Sequence, residues 1–336
     1  MEPLTPSTRI LQIIAGHWLS CSVYVAAKLN IAELLANGPQ TVEALAAASG
    51  SHAPSLYRLL RALAAEGIFE ETSKGVFSIT PAATALQEDA PGNVKAFVLA
   101  LLGEHYHGWG ELLYSVQTGG IAFDHHFGTD IWSWYRSHPA EGLNFMKAMT
   151  AMTQYVDKAI IAAYDFSGFN TIVDVGGGNG ALLMAILKAT PAATGIVYDA
   201  PYVIEKTAEA IAANGLTNRC GVKGGDFFKS VPPGADAYIM KYILHDWYEE
   251  DAIRLLRNCS EVMKPGDKLL AFDAVIPEGN GPHPGKLFDI TMLVATGGRE
   301  RTAQEFQYLF EQAGLQFNRV IPLALPDVSI VEGEKL

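Results

Sequence analysis

The feature that most limits the possible folds is a run of glycines directly after a short apolar strand. Residues Ile172-Val173-Asp174-Val175 have the pattern of a buried strand, and Gly176-Gly177-Gly178-Asn179-Gly180 follows at once. Apolar residues at helical spacing continue over 182–187. Glycines let the backbone approach a ligand closely, and the N-terminus of the next helix lies beside them. This unit predicts a ligand site at the carboxyl end of a strand.

The chain from residue 170 onward alternates short apolar strands with helices. Strands are predicted at 171–175, 195–198, 220–222, 237–240 and 268–272, with a terminal hairpin at 317–323 and 328–331. Helices are predicted at 180–189, 202–213, 250–263 and 302–313. Such alternation indicates an α/β fold with a parallel, doubly wound sheet and helices on both faces. Ligands of these sheets bind near the topological switch point.

The glycine turn by itself is compatible with two cofactors. Gly176, Gly178 and Ala181 satisfy a loose dinucleotide fingerprint, and Asp199 at the end of the next strand suits a ribose diol in either case. Asp174 favours the other cofactor, because a carboxylate would oppose an anionic pyrophosphate by roughly a few kcal/mol at partly buried range. A ligand with an ammonium and a sulfonium centre suits it better. A simple turn-capping role for Asp174 remains the alternative.

A third acidic position supports a nucleotide ligand. Gly225-Asp226-Phe227-Phe228 follows the third predicted strand. A carboxylate beside an aromatic pair is able to accept a hydrogen bond from an adenine amino group while a ring stacks on the base. An ordinary turn at the end of a strand is the alternative interpretation.

The first 90 residues are mostly helical with one β-ribbon. Helices are predicted over 8–36, 42–49 and 51–66, the second of them with Thr41 as N-cap and Gly50 as stop. Strands at 67–70 and 76–79 flank a turn at 73–75, which gives the winged helix-turn-helix layout. The apolar helices at 10–18 and 23–35 predict a dimer interface. Residues 96–163 are predicted to be helical.

Five motifs occur in a fixed order along the chain. They are Val173-Asp174-Val175-Gly176-Gly177-Gly178-Asn179-Gly180, Tyr198-Asp199-Ala200-Pro201, Gly225-Asp226-Phe227-Phe228, Lys241-Tyr242-Ile243-Leu244-His245-Asp246-Trp247 and Gly297-Gly298-Arg299-Glu300-Arg301-Thr302. Together they resemble the caffeic-acid type of small-molecule, S-adenosylmethionine-dependent O-methyltransferase. The resemblance covers nearly the whole chain and is specific to the family, but it says little about the substrate.

The resemblance implies three regions. A winged-helix dimerisation domain spans 1–95, a helical linker that contributes to the substrate pocket spans 96–160, and a Rossmann-like methyltransferase domain spans 161–336. The expected partners are a second copy of the chain and a small aromatic or heteroaromatic molecule with a hydroxyl group. The expected cofactor is S-adenosyl-L-methionine, with S-adenosyl-L-homocysteine as its product.

The cofactor residues follow from the same resemblance. The glycine turn lines the methionine part of the cofactor with Lys241 nearby, Asp199 binds the ribose, and Asp226 and Phe227 flank the adenine. The full predicted set is Asp174, Gly176, Gly178, Asp199, Asp226, Phe227, Lys241 and Thr153. The predicted substrate-contacting residues are Phe145, Met149, Met152, Phe288 and Met292.

The resemblance also implies the catalytic residues. His245 is the expected general base, oriented by Glu300 and Asp273. The family often has glutamate where this chain has Asp273, and the shorter side chain places Glu300 ahead of it. A phenol with a pKa of about 10 is a poor nucleophile until it loses its proton, and a histidine is able to accept that proton. A carboxylate behind the ring fixes the tautomer and stabilises the imidazolium.

Composition argues against several other classes. The net charge is −12, and residues 1–100 carry six basic against eight acidic side chains, so nucleic-acid binding is not expected. The three cysteines are far apart, which fits a reducing cytoplasm. The N-terminus lacks a signal-peptide layout, and no stretch is expected to reach the roughly 20 apolar residues that span a bilayer.

A metal site is not expected either. His105, His107, His125 and His126 lie near Asp124, but their spacing matches no standard zinc pattern. These histidines are expected to wall an acceptor pocket or to cover the core.

Three alternatives to an O-methyltransferase stay open at this point. A NAD-dependent oxidoreductase is disfavoured by Asp174 and Asp226, and a winged-helix regulator is disfavoured by the acidic charge. A relative that binds S-adenosylmethionine but performs decarboxylation, hydroxylation or a pericyclic step is disfavoured by the presence of His245 and Glu300.

Overall fold

The computed structural model describes residues 5–325 and 328–336, which divide into two compact units. One unit holds the chain up to residue 107 together with 132–152, and the other holds 108–131 and the chain from 153 onward. The side chains of residues 152–154 lie outside the described set. The boundaries at 95 and 160 remain a prediction.

The N-terminal region is helical around a small sheet, but the helix predicted over 8–36 ends at Lys28 and a new one begins at Ile31, because Asn30 between them has a left-handed φ of 55°. Its elements are α1 (Pro6–Lys28), α2 (Ile31–Leu34), β1 (Gln40–Thr41), α3 (Val42–Ser49), α4 (Ala53–Ala65), β2 (Phe69–Ser73), β3 (Val76–Ile79), α5 (Pro81–Thr84) and α6 (Lys95–Leu101). The Thr41 side chain caps α3 by accepting from the Ala44 N–H, and Gly50 ends the helix with a φ of 67°. The strands pair antiparallel in the order β1-β3-β2, so β1 adds a short strand that the sequence did not predict.

Five helices continue the chain to the second sheet. They are α7 (Glu104–Gly110), α8 (Leu112–Thr118), α9 (Ala122–Phe127), α10 (Ile131–Ser137) and α11 (Pro139–Ala163). Glycines Gly119 and Gly128 end α8 and α9 with φ angles of 74° and 70°, as expected where only glycine adopts a left-handed conformation without strain.

The C-terminal region is the predicted α/β sheet. Its strands are β4 (Thr171–Val175), β5 (Thr194–Asp199), β6 (Cys220–Gly224), β7 (Ala237–Lys241), β8 (Lys268–Asp273), β9 (Leu315–Pro322) and β10 (Ser329–Lys335). Its helices are α12 (Ala181–Ala189), α13 (Thr207–Ala213), α14 (Glu249–Val262), α15 (Gly285–Ala295) and α16 (Ala303–Gln312), with a 3-10 turn at Leu244–Asp246.

The strand order is β6-β5-β4-β7-β8-β10-β9. The first five strands form four parallel pairs, and β10 pairs antiparallel with both β8 and β9. The chain runs outward from β4 to β6 and then returns to β7 beside β4, so the switch point lies between β4 and β7. The structure confirms the doubly wound fold and the terminal hairpin.

Side-chain alternation buries both faces of the sheet. Val173 and Tyr238 face a core formed with α14 and α16, whereas Ile172 and Ile239 face one formed with α12 and α13. When successive side chains of a strand point to two buried faces, the sequence of that strand is a continuous apolar run. Polar residues on such strands are therefore exceptional, and those at the carboxyl ends form the site.

Two further expectations are corrected by the structure. The helix predicted at 202–213 begins only at Thr207; the chain turns before it, Ile204 packs into the core, and the Thr207 hydroxyl donates to the Gly178 carbonyl over 3.0 Å. The other concerns α1, whose 23 residues are long and apolar enough to cross a membrane by length and composition alone. The statement that no stretch reaches this length is therefore wrong.

Candidate active site

The glycine turn joins β4 to α12 and bonds to the end of β5. Gly176, Gly178 and Gly180 adopt φ angles of 73°, 54° and 76°, a region that side-chain-bearing residues rarely enter. The Gly176 N–H donates to the Tyr198 carbonyl over 2.8 Å, and the Gly178 N–H donates to the Asp199 carboxylate over 2.9 Å. These predicted cofactor residues therefore meet at one edge of the sheet.

Asp199 uses both carboxylate oxygens to hold this backbone. One oxygen accepts from the Gly178 N–H, and the other accepts from the Ala200 N–H over 2.6 Å. Burial raises the pKa of Asp199, and the two backbone hydrogen bonds oppose that rise. The carboxylate shapes the turn, while its contact with a ribose stays a prediction.

Asp174 lies directly against the same turn and is 2% exposed. A side chain at Gly177 would come within 2.7 Å of the Asp174 carboxyl carbon and within 2.9 Å of a Val197 methyl group. Burial raises the pKa of Asp174 to about 7, although Lys241 opposes the rise. An acid with this pKa ionises readily when a positive group approaches.

Lys241 ends β7, beside β4 at the switch point. Its Nζ pairs with Asp157 of α11 over 2.5 Å, and the two side chains are 13% and 8% exposed. Burial raises the pKa of Asp157, and Lys241 opposes that rise. Sequence reasoning missed Asp157, because a single acid in a helix 84 residues from its partner belongs to no motif.

Asp226 and Phe227 follow β6 as predicted, but they have different environments. The Asp226 carboxylate is half exposed, accepts from the Phe228 N–H over 3.0 Å and lies 3.1 Å from the Lys229 ammonium. The Phe227 ring packs edge-on against Phe228 and Trp247, with centroid distances of 4.9 and 6.0 Å. The aromatic side chain is thus anchored in the core beside an accessible carboxylate.

His245 lies in the 3-10 turn that follows β7. Its Nδ1 is 2.8 Å from Glu300 Oε1 and 3.7 Å from Asp273 Oδ1. The imidazole is 12% exposed, and the two carboxylates are 2% and 0% exposed. The structure brings the three predicted catalytic residues together, with Glu300 within hydrogen-bond distance and Asp273 beyond it.

Asp273 is unusual for a completely buried carboxyl group. Within residues 5–325 and 328–336, neither of its oxygens has a hydrogen-bond partner. Burial raises the pKa of Asp273 to about 7, because the low-polarity surroundings penalise the charged form. His245, whose Nδ1 lies 3.7 Å from Asp273 Oδ1, opposes this rise.

The charges around His245 favour its protonated form. Burial alone would lower the pKa of the imidazole, but the carboxylates of Glu300 and Asp246 outweigh burial, and Asp273 adds to their effect. The pKa of His245 is raised to about 10. Asp246 Oδ1 lies 3.8 Å from Nε2, and burial raises the pKa of Asp246 to about 6.

Glu300 is held in place by a residue that the motifs did not indicate. Its backbone N–H donates to the Asp289 carboxylate of α15 over 2.9 Å. Burial raises the pKa of Asp289, and this hydrogen bond opposes the rise. Asp289 therefore fixes the backbone from which the Glu300 side chain reaches His245.

The predicted substrate residues fall in both units of the chain. Phe145 and Met149 lie on α11 in one unit, where the Phe145 ring stacks on Tyr135 at a centroid distance of 4.8 Å. Phe288 and Met292 lie on α15 in the other unit and are half-buried. The side chain of Met152, the fifth predicted substrate residue, lies outside the described residues, as does that of Thr153, which was predicted to contact the cofactor. Substrate contact by the five residues and cofactor contact by Thr153 stay predictions.

The histidine-rich segment shows aromatic packing. The His125 ring stacks on Tyr114 at a centroid distance of 3.9 Å, and the His105 ring lies over Phe145 at 5.8 Å. In the described part of the chain, no three histidine, cysteine or acidic side chains are grouped as metal ligands would be.

Two family models match the chain. An O-methyltransferase domain matches residues 109–316, and an O-methyltransferase dimerisation domain matches residues 11–89. The first therefore contains the glycine turn, the His245 turn and Glu300, and the second contains α1 from residue 11 onward.

Known proteins resemble this chain over more than nine-tenths of their length. A phenazine O-methyltransferase of Lysobacter antibioticus is 43% identical over 98% of this chain and 96% of its own. A mitomycin biosynthesis 6-O-methyltransferase of Streptomyces lavendulae is 38% identical over 95% of this chain and 92% of its own. A solved O-methyltransferase of neocarzinostatin biosynthesis, with S-adenosyl-L-homocysteine and 1,4-dihydroxy-2-naphthoic acid bound, is 34% identical with a TM-score of 0.84, covering 94% of this chain and 96% of its own.

Proposed function

Because this chain belongs to the S-adenosylmethionine-dependent O-methyltransferases that carry a dimerisation domain, we propose that His245 deprotonates an aromatic hydroxyl group as that oxygen is methylated. The observation that carries this proposal is the 2.8 Å contact between His245 Nδ1 and Glu300 Oε1. It lies at the carboxyl edge of the sheet, next to the predicted cofactor residues on β4 and β7. Asp273 supplies a second buried carboxyl group behind the ring.

The chemistry of the glycine turn fits a cationic cofactor. Asp174 interacts electrostatically with the Lys241 ammonium group and with the carboxyl groups of Asp157 and Asp199. This surplus of carboxylates suits the positive charges of S-adenosylmethionine and opposes the pyrophosphate of a dinucleotide. When bound, the cofactor supplies an electrophilic methyl group on a positively charged sulfur. The residues proposed to hold it are those at the ends of β4 to β7, with Asp226 and Phe227 at the adenine.

The orientation of the imidazole assigns roles to its two nitrogens. Nδ1 carries the hydrogen that Glu300 accepts, so Nε2 is the nitrogen that accepts the proton from the acceptor hydroxyl. The buried carboxylates stabilise the imidazolium that forms. They also raise the pKa of His245 to about 10, which is close to that of a phenol, so the proton moves between groups of similar affinity.

We propose a hydroxylated fused-ring aromatic compound as the methyl acceptor. Similar proteins act on a phenazine and on a hydroxylated naphthoate, and a solved relative binds a dihydroxynaphthoic acid. Aromatic and thioether side chains at Phe145, Met149, Phe288 and Met292 are suited to flat apolar rings. We place the reaction in the cytoplasm, since the three cysteines are free thiols.

An aromatic amine is the second candidate acceptor. Two similar proteins, each 32% identical, are an aminoriboflavin dimethyltransferase and a phenazine-1-carboxylate N-methyltransferase. A neutral amine attacks with its own lone pair and needs no base before methylation. The buried His245–Glu300 pair therefore favours the hydroxyl acceptor.

The test is release of S-adenosyl-L-homocysteine from the purified enzyme with S-adenosylmethionine and matched acceptors. The panel pairs hydroxyphenazines and hydroxynaphthoates with the corresponding amines and with analogues lacking either group. We expect product only with hydroxylated rings, and mass spectrometry should place the added methyl group on oxygen. Methylation confined to the amines would replace the proposal with the second candidate, and a methyl-free product would identify a non-methylating relative.

A further inference from the structure

Arg301 is the largest completely buried side chain among the described residues, at 1% exposed. It follows Glu300 directly and lies in no helix or strand. A buried guanidinium is costly unless its charge and donors are satisfied. The contacts of Arg301 therefore show how its charge and its hydrogen-bond donors are satisfied.

Its donors hold the backbone on both sides of the catalytic histidine. One guanidinium nitrogen donates to the Leu244 carbonyl over 2.7 Å, and the other donates to the Trp247 carbonyl over 2.9 Å. These carbonyls belong to the residue before His245 and to the residue two positions after it. A planar fork that bridges two fixed acceptors defines position and orientation together.

The same loop touches the His245 turn with its own backbone. A side chain at Gly298 would come within 1.9 Å of the His245 carbonyl oxygen and 2.7 Å of the Trp247 nitrogen. The loop is anchored on its other side by a hydrogen bond from the Ile276 N–H to the Arg301 carbonyl, 3.0 Å long. The loop that supplies Glu300 therefore also fixes the turn that Glu300 must reach.

The charge of Arg301 faces the acidic side of the site. Its charged neighbours are Asp273, Glu300, Glu249 and the adjacent Arg299. The groups facing His245 are the carboxylates of Glu300, Asp246 and Asp273, with the Tyr242 ring stacked at 5.5 Å. Arg301 is thus a buried positive charge that interacts with two of these carboxylates, Asp273 and Glu300.

We propose that Arg301 is a positioning residue for the methyl transfer, bridging the carbonyls of Leu244 and Trp247 so that His245 meets Glu300, while its positive charge opposes protonation of His245 and of the carboxylates beside it. The proposal rests on the proposed function of His245. Two properties are separable here. The fork sets geometry, whereas the positive charge sets the pH range in which the histidine is free to accept a proton.

Two substitutions separate these properties. Arg301→Lys keeps the charge but replaces the fork with a single point donor, so we expect kcat to fall about tenfold with KM and the pH profile unchanged. Arg301→Gln removes the charge as well. Loss of a nearby positive charge favours the protonated form of His245. The pH at which kcat rises should therefore increase by about one unit, and kcat should fall about 100-fold.

The neighbouring Arg299→Gln variant is the matched control. Arg299 is half exposed and pairs with Glu305 at the surface, so its loss should leave kcat and the pH limb as in the wild type. Unchanged kcat and pH limb in Arg301→Gln, with only a lower melting temperature, would make Arg301 merely structural and overturn the proposal. Full activity in Arg301→Lys would overturn the bridging role, and this variant decides the case if Arg301→Gln does not fold.

An NMR titration keeps this test independent of the reaction. With labelled histidine, the His245 signals are identified by their loss in His245→Gln, and their titration is followed without any acceptor. We expect the His245 titration in Arg301→Gln to move upward by about one pH unit, and an unmoved titration would refute the charge effect. If the wild type shows no methyl transfer but the His245 titration still shifts in Arg301→Gln, the proposed reaction is wrong and the role of Arg301 is supported.

Discussion

At the scale of single residues, the site is governed by how many carboxylates share one imidazole. Glu300 is in contact with His245, whereas Asp246 and Asp273 act across 3.8 and 3.7 Å. One contact aligns the ring, and all three raise its affinity for a proton. The arrangement favours the state formed after proton transfer, at the cost of a smaller fraction of free imidazole near neutral pH.

The residue-scale prediction concerns His245→Gln. We expect kcat to fall by about 10²- to 10⁴-fold, with binding of S-adenosylhomocysteine retained in calorimetry. Because the pKa of His245 is raised to about 10, wild-type turnover should climb as the pH rises toward that value and frees the imidazole. In the variant, any remaining increase of kcat with pH should reflect only ionisation of the acceptor hydroxyl group.

His52→Gln provides the control, since His52 is an exposed residue at the start of α4. It should reproduce the wild-type rate and pH profile. Wild-type turnover by His245→Gln, or an identical pH slope in both enzymes, would exclude His245 as the base.

The sequence predicted the members of this cluster but not their supports. His245, Glu300 and Asp273 were inferred from motif resemblance, and the greater weight given to Glu300 agrees with its shorter distance. Asp289 and Arg301 were not singled out, because their contacts are made to backbone atoms. Backbone recognition between distant loops leaves no periodicity or spacing for a sequence pattern to show.

At the scale of elements, the turn between β4 and α12 is positioned by packing as much as by its glycines. Asp199 holds it from β5, and the Thr207 hydroxyl at the start of α13 donates to Gly178. Asp174 fills the space beneath Gly177. The turn is therefore supported before any ligand arrives, which reduces the ordering cost of binding.

The element-scale prediction is that Gly177→Ala weakens cofactor binding. The added methyl group would lie 2.7 Å from the Asp174 carboxyl carbon, and relieving such overpacking costs about 1–3 kcal/mol. If the turn shifts to do so, the dissociation constant of S-adenosylhomocysteine should rise about tenfold, as measured by titration calorimetry.

Gly168→Ala is the matched change, since a Cβ there meets no atom within 4 Å. Its dissociation constant should equal that of the wild type. Equal affinity in Gly177→Ala would show that the turn does not need its close approach to Asp174.

Helices and strands were predicted correctly where the apolar residues of a segment repeat with one clear period. The strands β4, β7 and β8 are short apolar runs buried on both faces, and they were predicted together with the more exposed β5 and β6. The predicted start of α13 at residue 202 was wrong. The chain is still in a turn at Ile204, whose side chain packs into the core. The two-residue strand β1 was not predicted, since it pairs with β3 residues that lie 35 and 37 positions away.

At the scale of the whole molecule, the main feature is the apolar surface that α1 leaves exposed in a single chain. Ile10, Ile13 and Trp18 are 58%, 60% and 67% exposed, and the dimerisation-domain match includes the last two of them. Its length and composition also meet the criterion for a membrane span. A second copy of the chain accounts for both the apolar surface and the family match.

The whole-molecule prediction is that Ile13→Glu combined with Trp18→Glu converts a homodimer into a monomer. Burying two unpaired carboxylates in an apolar interface costs several kcal/mol, which weakens association by about 100-fold or more. Light scattering after size-exclusion chromatography would measure the mass, and circular dichroism would show that the helices remain. Tyr308→Glu, at an exposed position on α16, should stay dimeric. A double variant that keeps the dimer mass would place the interface elsewhere, and a wild type that associates only with lipid vesicles would favour membrane binding by α1.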